Sequence, residues 1–230
     1  MSPSTGSGQA PSTGSGEVPS TGSKRGLLIT FEGGEGSGKS TQAELLAQSL
    51  EATGQRVLRL REPGGTPLGE ELRQLLLHRR AAMSPAAELL LFLAARAELV
   101  QSVIQPALAE GAIVICDRFC DSTFAYQGYG RGLDLAELRR LNAFATGGLV
   151  PDLTVLLDLP VEASRRRKQR DEDAFQREDD AFHERVRQGY FELAGQEPAR
   201  WLVLDATLPV EELARAIAKR AISIARPRSA

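Results

Sequence analysis

Cysteine is nearly absent from this chain: Cys116 and Cys120 are the only two in 230 residues. No second pair and no suitably placed His accompanies them, which argues against zinc and leaves a reduced cytoplasmic setting as the simple reading. An excess of charge of one sign is also lacking. With 28 Lys and Arg against 30 Asp and Glu, nothing overall argues for a nucleic-acid partner, and a local patch would have to carry that claim. No apolar run approaches the roughly 18 residues needed to span a bilayer, so no membrane partner is expected.

The first 24 residues lack both charge and large apolar groups almost entirely. They repeat Pro-Ser-Thr-Gly-Ser three times, from Pro3, Pro11 and Pro19. Such a segment buries too little surface to offset its ordering entropy, and a flexible tail is expected. It has neither the charged start and apolar centre of a secretory signal nor the arginines of a transit peptide. About 205 residues remain, enough for one α/β domain over 25–230 with a substantial core.

What is present from residue 26 onward is an alternation. Apolar runs at 26–31, 56–60, 112–116, 153–159 and 201–204 read as strands. Helical periodicity fills 39–52, 68–78, 85–109, 135–145, 161–170, 179–193 and 210–225. Strands buried on both faces and joined by long crossovers predict a five-stranded parallel sheet flanked by helices, a three-layer α/β sandwich. Ligands in such sheets sit at the carboxyl ends of the strands.

The first strand runs directly into Gly33-Gly34-Glu35-Gly36-Ser37-Gly38-Lys39-Ser40, followed by Thr41. This fits the pattern G-x-x-x-x-G-K-[ST], with strand before and helix after. Glycines let the backbone wrap a polyphosphate so that N–H groups and the helix N-terminus face the anion. Lys39 adds a charge for the β- and γ-phosphates, and the Ser40 hydroxyl suits Mg²⁺. A Gly-rich turn that binds nothing does not account for strand, loop, Lys and helix in register. The fold expected is therefore that of a P-loop NTPase, with a nucleoside triphosphate as its ligand.

The later strand ends each carry a second candidate, and each has a plain alternative. Arg61-Glu62-Pro63-Gly64-Gly65-Thr66 forms a shaped turn from which Arg61 and Arg73 point back over the sheet, or are merely solvated. Asp117 ends a buried strand where a carboxylate acts on Mg²⁺ or its water shell, with Arg118 beside a phosphate; otherwise Asp117 caps the helix near Ser122. Phe92 and Arg96, four apart, share a helical face as a base clamp, or are core and snorkelling residues. Tyr126 and Gln127 suit a sugar and a base edge, or are structural. Arg165-Arg166-Arg167-Lys168-Gln169-Arg170 sets five positive groups in six residues, either a solvated helix end or a cationic lid over about 165–178. One well-placed Arg accelerates phosphoryl transfer by about 10³–10⁵.

In this order, Phe31–Thr41, Arg61–Thr66, Phe92 with Arg96, Asp117-Arg118-Phe119 and Ser122–Gly128 resemble thymidylate kinases of bacterial type, over about residues 26–225. The resemblance implies transfer of the ATP γ-phosphate to dTMP, with Mg²⁺, in a cytoplasmic homodimer. It implies that Gly33 to Thr41 bind ATP, with Lys39 catalytic, and that Ser40 and Asp117 face the metal. Glu35 is implied near the acceptor sugar, and Arg61, Arg73 and Arg118 on the acceptor and its phosphate, Arg118 also in catalysis. Phe92 would stack on thymine, Arg96, Thr123 and Gln127 would contact it, and Tyr126 would lie under the deoxyribose. Asp205-Ala206 resembles the loop along the donor adenine. Gly36 stands where some members carry an Arg, which moves the catalytic cation to the lid, at Arg167 and Arg170. The lid departs from the family's Asp-Arg-[Ile/Phe]-Glu in reading Asp173-Ala174-Phe175-Gln176, followed by Arg177-Glu178.

Two other readings remain: a kinase for another nucleoside or nucleoside monophosphate, and a nucleotide-binding protein impaired at the lid. A GTPase switch is disfavoured, because neither Asn-Lys-x-Asp nor a post-strand Asp-x-x-Gly is present.

Overall fold

A computed structural model describes residues 25–78, 82–167, 175 and 177–225. The tail at 1–24, and within the lid 168–174 and 176, lie outside the described residues, and Arg170 with them. Five strands, β1 (Leu27–Glu32), β2 (Val57–Arg61), β3 (Ile113–Asp117), β4 (Leu153–Asp158) and β5 (Trp201–Asp205), form one sheet in the order β2-β3-β1-β4-β5. Every pairing is parallel. The expected fold is the one found, with strand ends displaced by about one residue.

Alternation along the strands builds the two faces of the core. Ile29, Phe31, Ile115 and Val155 pack with Leu46 and Leu50 of α1 (Lys39–Glu51) and Leu213 and Ile217 of α9 (Val210–Ala225). Leu28, Val114 and Cys116 face the other way, onto Leu99, Ile104 and Phe119. Burial pushes the thiols of Cys116 and Cys120 well above their ordinary range. Because β1 lies between β3 and β4, Phe31 pairs with Asp117 on one side and Val155 on the other. The ends of β1 and β3 thus open side by side at the point where strand order reverses, which is where a crevice forms.

Helices begin where side chains cap them. Thr66 accepts from the Gly69 amide and Pro67 opens α2 (Pro67–Leu77); Ser84 and Pro85 do the same for α3 (Pro85–Leu99). The helix expected at 85–109 is interrupted by a π-helical turn, Val100–Ile104, before α4 (Gln105–Ala109). Pro106 has no N–H to donate and would crowd the preceding turn, and the wider turn relieves both. A short α5 (Cys120–Thr123) passes into a second π-helical segment, Phe124–Gly130, which no periodicity announced. That segment lies against α8 (Asp180–Gln196), where a Cβ on Gly130 would come within 2.6 Å of the Phe182 ring. Helices α6 (Leu135–Thr146) and α7 (Val161–Arg167) complete the chain.

Candidate active site

A cavity of about 430 Å³ opens over the carboxyl ends of β1, β2 and β3. Lys39, Ser40 and Asp117 line one end, and Phe92, Tyr126 and Phe175 the other.

The first end is made by the loop. Gly33 has φ +133°, and a Cβ there would stand 2.4 Å from the Leu157 carbonyl oxygen, so only glycine brings the chain this close to β4. Gly38, at φ +92°, then starts α1 with its free N–H groups facing the cavity. The Lys39 ammonium folds back on the loop, donating to the carbonyls of Gly34 (2.7 Å) and Gly33 (3.2 Å). Burial lowers its pKa, with Arg118 nearby acting in the same direction. Ser40 donates to the Asp117 carboxylate at 2.6 Å. Hard oxygen donors therefore meet beside the loop, the donor set that Mg²⁺ takes.

Arg118 is the sole non-glycine with positive φ among the described residues, at 69°. A left-handed backbone costs about 1–2 kcal/mol at such a residue, so the surroundings must hold it. Its amide donates to the Phe31 carbonyl, and the next amide, of Phe119, donates to the Glu32 carboxylate at 2.8 Å. The guanidinium ion-pairs with Glu35, meets the hydroxyls of Ser122, Tyr126 and Tyr190, and lies 5.0 Å from the Tyr126 ring centroid. Glu32 in turn accepts from Ser122 (2.6 Å) and Tyr190 (3.0 Å).

Two carboxylates three residues apart thus titrate oppositely. Burial, and then the charge of Asp121, push Glu32 from an ordinary 4.5 up to about 7. Burial would also raise Glu35, but the charges of Arg118 and Lys39 outweigh it and hold this group at about 2. Glu32 was not anticipated, although the signal that drew attention to Asp117, an acid ending a buried strand, applies to it equally. Tyr190, inside an amphipathic helix, gave no signal.

The second end is apolar with a polar back wall. Phe92 and Tyr126 both pack on Phe175, at ring-centroid distances of 5.8 and 5.7 Å. Arg96 is 1% exposed and directs its donors at Glu62, Thr123, Asn142 and the Phe119 carbonyl. It lines the cavity from within a network rather than as a free cation. Gln127 donates to Glu88 at 2.9 Å. Arg61 pairs with Glu70 at 3.0 Å, and Arg73 donates to the Pro63 carbonyl at 2.8 Å. Both of these arginines border the cavity.

Helix α7 rests on the loop. Ser164 donates to the Glu35 carbonyl at 2.6 Å, and Arg167 reaches the Gly36 carbonyl at 3.4 Å. A Cβ on Gly36 would lie 3.3 Å from that of Arg167, so the bare glycine leaves the room that the lid arginine borders. Glu178 pairs with Arg131 at 2.7 Å. Glu35 and Lys39 together with Arg61, Arg73, Phe92, Arg96, Arg118, Thr123, Tyr126 and Gln127 line the cavity. Arg167 is exposed beside Gly36, and the site expected at Arg170 lies outside the described residues, as do Ala174 and Gln176 of the segment that departs from the family pattern.

The family model for thymidylate kinase matches residues 31–217. A thymidylate kinase of Trichlorobacter lovleyi is 50% identical over 206 residues, 86% of this chain and 97% of that protein. One from Clavibacter michiganensis subsp. michiganensis is 53% identical over 199 residues, 85% and 94% of the two chains. Among solved structures, the thymidylate kinase of Ehrlichia chaffeensis superposes with a TM-score of 0.72 at 35% identity, covering 86% of this chain and 99% of that one.

Proposed function

The chain belongs to the thymidylate kinase family, and on that premise we propose how its residues divide the transfer of the ATP γ-phosphate to dTMP. The observation that carries the reading is the single cavity joining the loop of Lys39 and Ser40 to the aromatic end at Phe92 and Tyr126. It offers a triphosphate end and a base end within one enclosure. The enzyme phosphorylates dTMP to dTDP with ATP, and catalysis is positioning plus charge neutralisation.

The loop amides and Lys39 take the donor phosphates, Lys39 exchanging the carbonyls of Gly33 and Gly34 for phosphate oxygens. Ser40 and Asp117 would hold Mg²⁺, which would supply charge neutralisation for the phosphoryl transfer. Arg118, fixed by Glu35 and by the contacts around Glu32, faces the acceptor phosphate with Arg61 and Arg73. Phe92 and Tyr126 receive base and sugar, and Arg167, with Arg170, brings positive charge over Gly36 as the lid closes. A cytoplasmic homodimer fits the same reading. Phe144 on α6 is 89% exposed and Leu90 on α3 58%, apolar surface that a second copy would cover. No helix among the described residues is long and apolar enough to cross a membrane.

An ADP-release assay with ATP, Mg²⁺ and a panel of nucleoside monophosphates tests this. Turnover should be fastest with dTMP. Release with another acceptor but none with dTMP would end the reading.

A further inference from the structure

Glu88 is fully buried, in the first turn of α3. One of its oxygens accepts from Gln127 Nε2 at 2.9 Å and from Arg131 Nε at 3.2 Å, and the other from Arg131 Nη2 at 3.2 Å. Arg131 is itself anchored, its guanidinium 4.8 Å from the Phe182 ring centroid and paired with Glu178.

A carboxylate facing a guanidinium offers acceptors alone. The end of the Gln127 amide that meets it must therefore be the nitrogen, which settles an orientation that amide shape alone leaves open. The carbonyl oxygen of Gln127 is then turned away from α3. Four residues earlier, on the same helical face, Thr123 takes a hydrogen bond from Arg96 Nη1 at 2.8 Å. A guanidinium only donates, so the Thr123 oxygen is the acceptor there and its hydroxyl hydrogen remains to be given elsewhere. Both residues line the base end of the cavity. The wall thus carries one donor and one acceptor whose polarity is set from behind by a buried acid and a buried base.

We propose that Glu88 is a specificity-determining positioning residue: by holding the Gln127 amide nitrogen toward α3, it sets a donor–acceptor pair that matches the imide edge of a pyrimidine and opposes the edge of cytosine. Thymine and uracil present a carbonyl beside an N3–H, complementary to the Thr123 hydroxyl and the Gln127 carbonyl. Cytosine presents an amino group beside an N3 lone pair, so donor would meet donor and acceptor would meet acceptor. Polar mismatches in a buried site discriminate far better than a change of size. The inference rests on the dTMP-kinase reading, because it needs the base to be seated at this end.

Glu88→Gln releases the constraint, since a glutamine accepts or donates at either terminus. The ratio of kcat/KM for dTMP to that for dCMP should fall by at least about tenfold, while the KM for ATP stays unchanged. A ratio that stays within twofold of the wild type overturns the proposal. Should the single variant melt below assay temperature, the double variant E88Q/R131Q, which leaves no guanidinium facing the amide, carries the same prediction. In the wild-type enzyme, 3-deaza-dUMP, with C–H in place of N3–H, should bind at least about tenfold more weakly than dUMP. Equal affinity would overturn the acceptor role of Gln127 whatever the variants do. A wild-type enzyme inactive on dTMP would instead sink the functional reading itself.

Discussion

The two ends of the cavity are built in opposite ways. The end proposed for the donor is built mostly from one contiguous stretch, Gly33 to Thr41, with Asp117 beside it, and offers backbone amides and the Lys39 ammonium. The end proposed for the acceptor gathers side chains from β2, α2, α3, α5, the π-helical segment and Phe175, several of them, such as Arg96 and Gln127, held by buried neighbours. A phosphate is the same anion in every nucleotide, so the backbone alone can cradle it. A base and a sugar differ in where they donate and accept, which only placed side chains can distinguish.

The largest expected effect breaks the donor end at one point. Because the Lys39 ammonium is the cation seated within the loop itself, Lys39→Ala should lower kcat by about 10³ or more, while circular dichroism and melting temperature stay near the wild type. Substantial activity in that variant would mean the charge is shared, as at the acceptor end.

At the acceptor end a single loss should be graded. Phe92→Ala removes one of the three aromatic surfaces at this end, and base–aromatic stacking contributes about 1–3 kcal/mol. The KM for dTMP should therefore rise by roughly tenfold to a hundredfold, with the KM for ATP unmoved. Parallel rises in both constants would show that Phe92 supports the whole cavity rather than the base.

The smallest effect separates the two carboxylates at the seam between the ends. Glu32, near 7 when folded against an ordinary 4.5, keeps a proton that the unfolded chain has already released. Its contribution to stability is full below pH 4.5 and is lost as pH rises through 7, by up to roughly 3 kcal/mol. Glu35, held at about 2, has the opposite sign: its contribution is present above 4.5 and fades as pH falls through 2. Urea midpoints at pH 5 and pH 8 should show Glu32→Gln gaining on the wild type at the higher pH. A constant difference between the two proteins would refute the buried-proton account.

How much of this was legible follows the same division. Lys39, Ser40 and Asp117 could be placed from sequence because a strand end fixes what comes next, and β1 and β3 are neighbours in any sheet of this order. Phe92 and Arg96 were found by helical spacing, but spacing did not disclose that Arg96 sits among Glu62, Thr123 and Asn142. The π-helical segment was invisible. Its wide turns are set by the close approach of Gly130 to Phe182 and of Gly189 to Tyr129, contacts between residues more than fifty apart in the chain. The same turns carry Tyr126 and Gln127, so their depth in the cavity was equally out of view.

By itself the sequence determined the sheet and the phosphate loop, because these depend on hydrophobic alternation and on a contiguous run of glycines before a helix, and the reaction was indicated by the resemblance of its motifs to a family. Tertiary structure alone decided the rest. It placed Glu32 behind the strained Arg118, rested Arg167 on Gly36, and set Glu88 against Gln127. Each of those arrangements turns on the direction of a hydrogen bond or on the burial of a charge, and neither exists until distant segments pack.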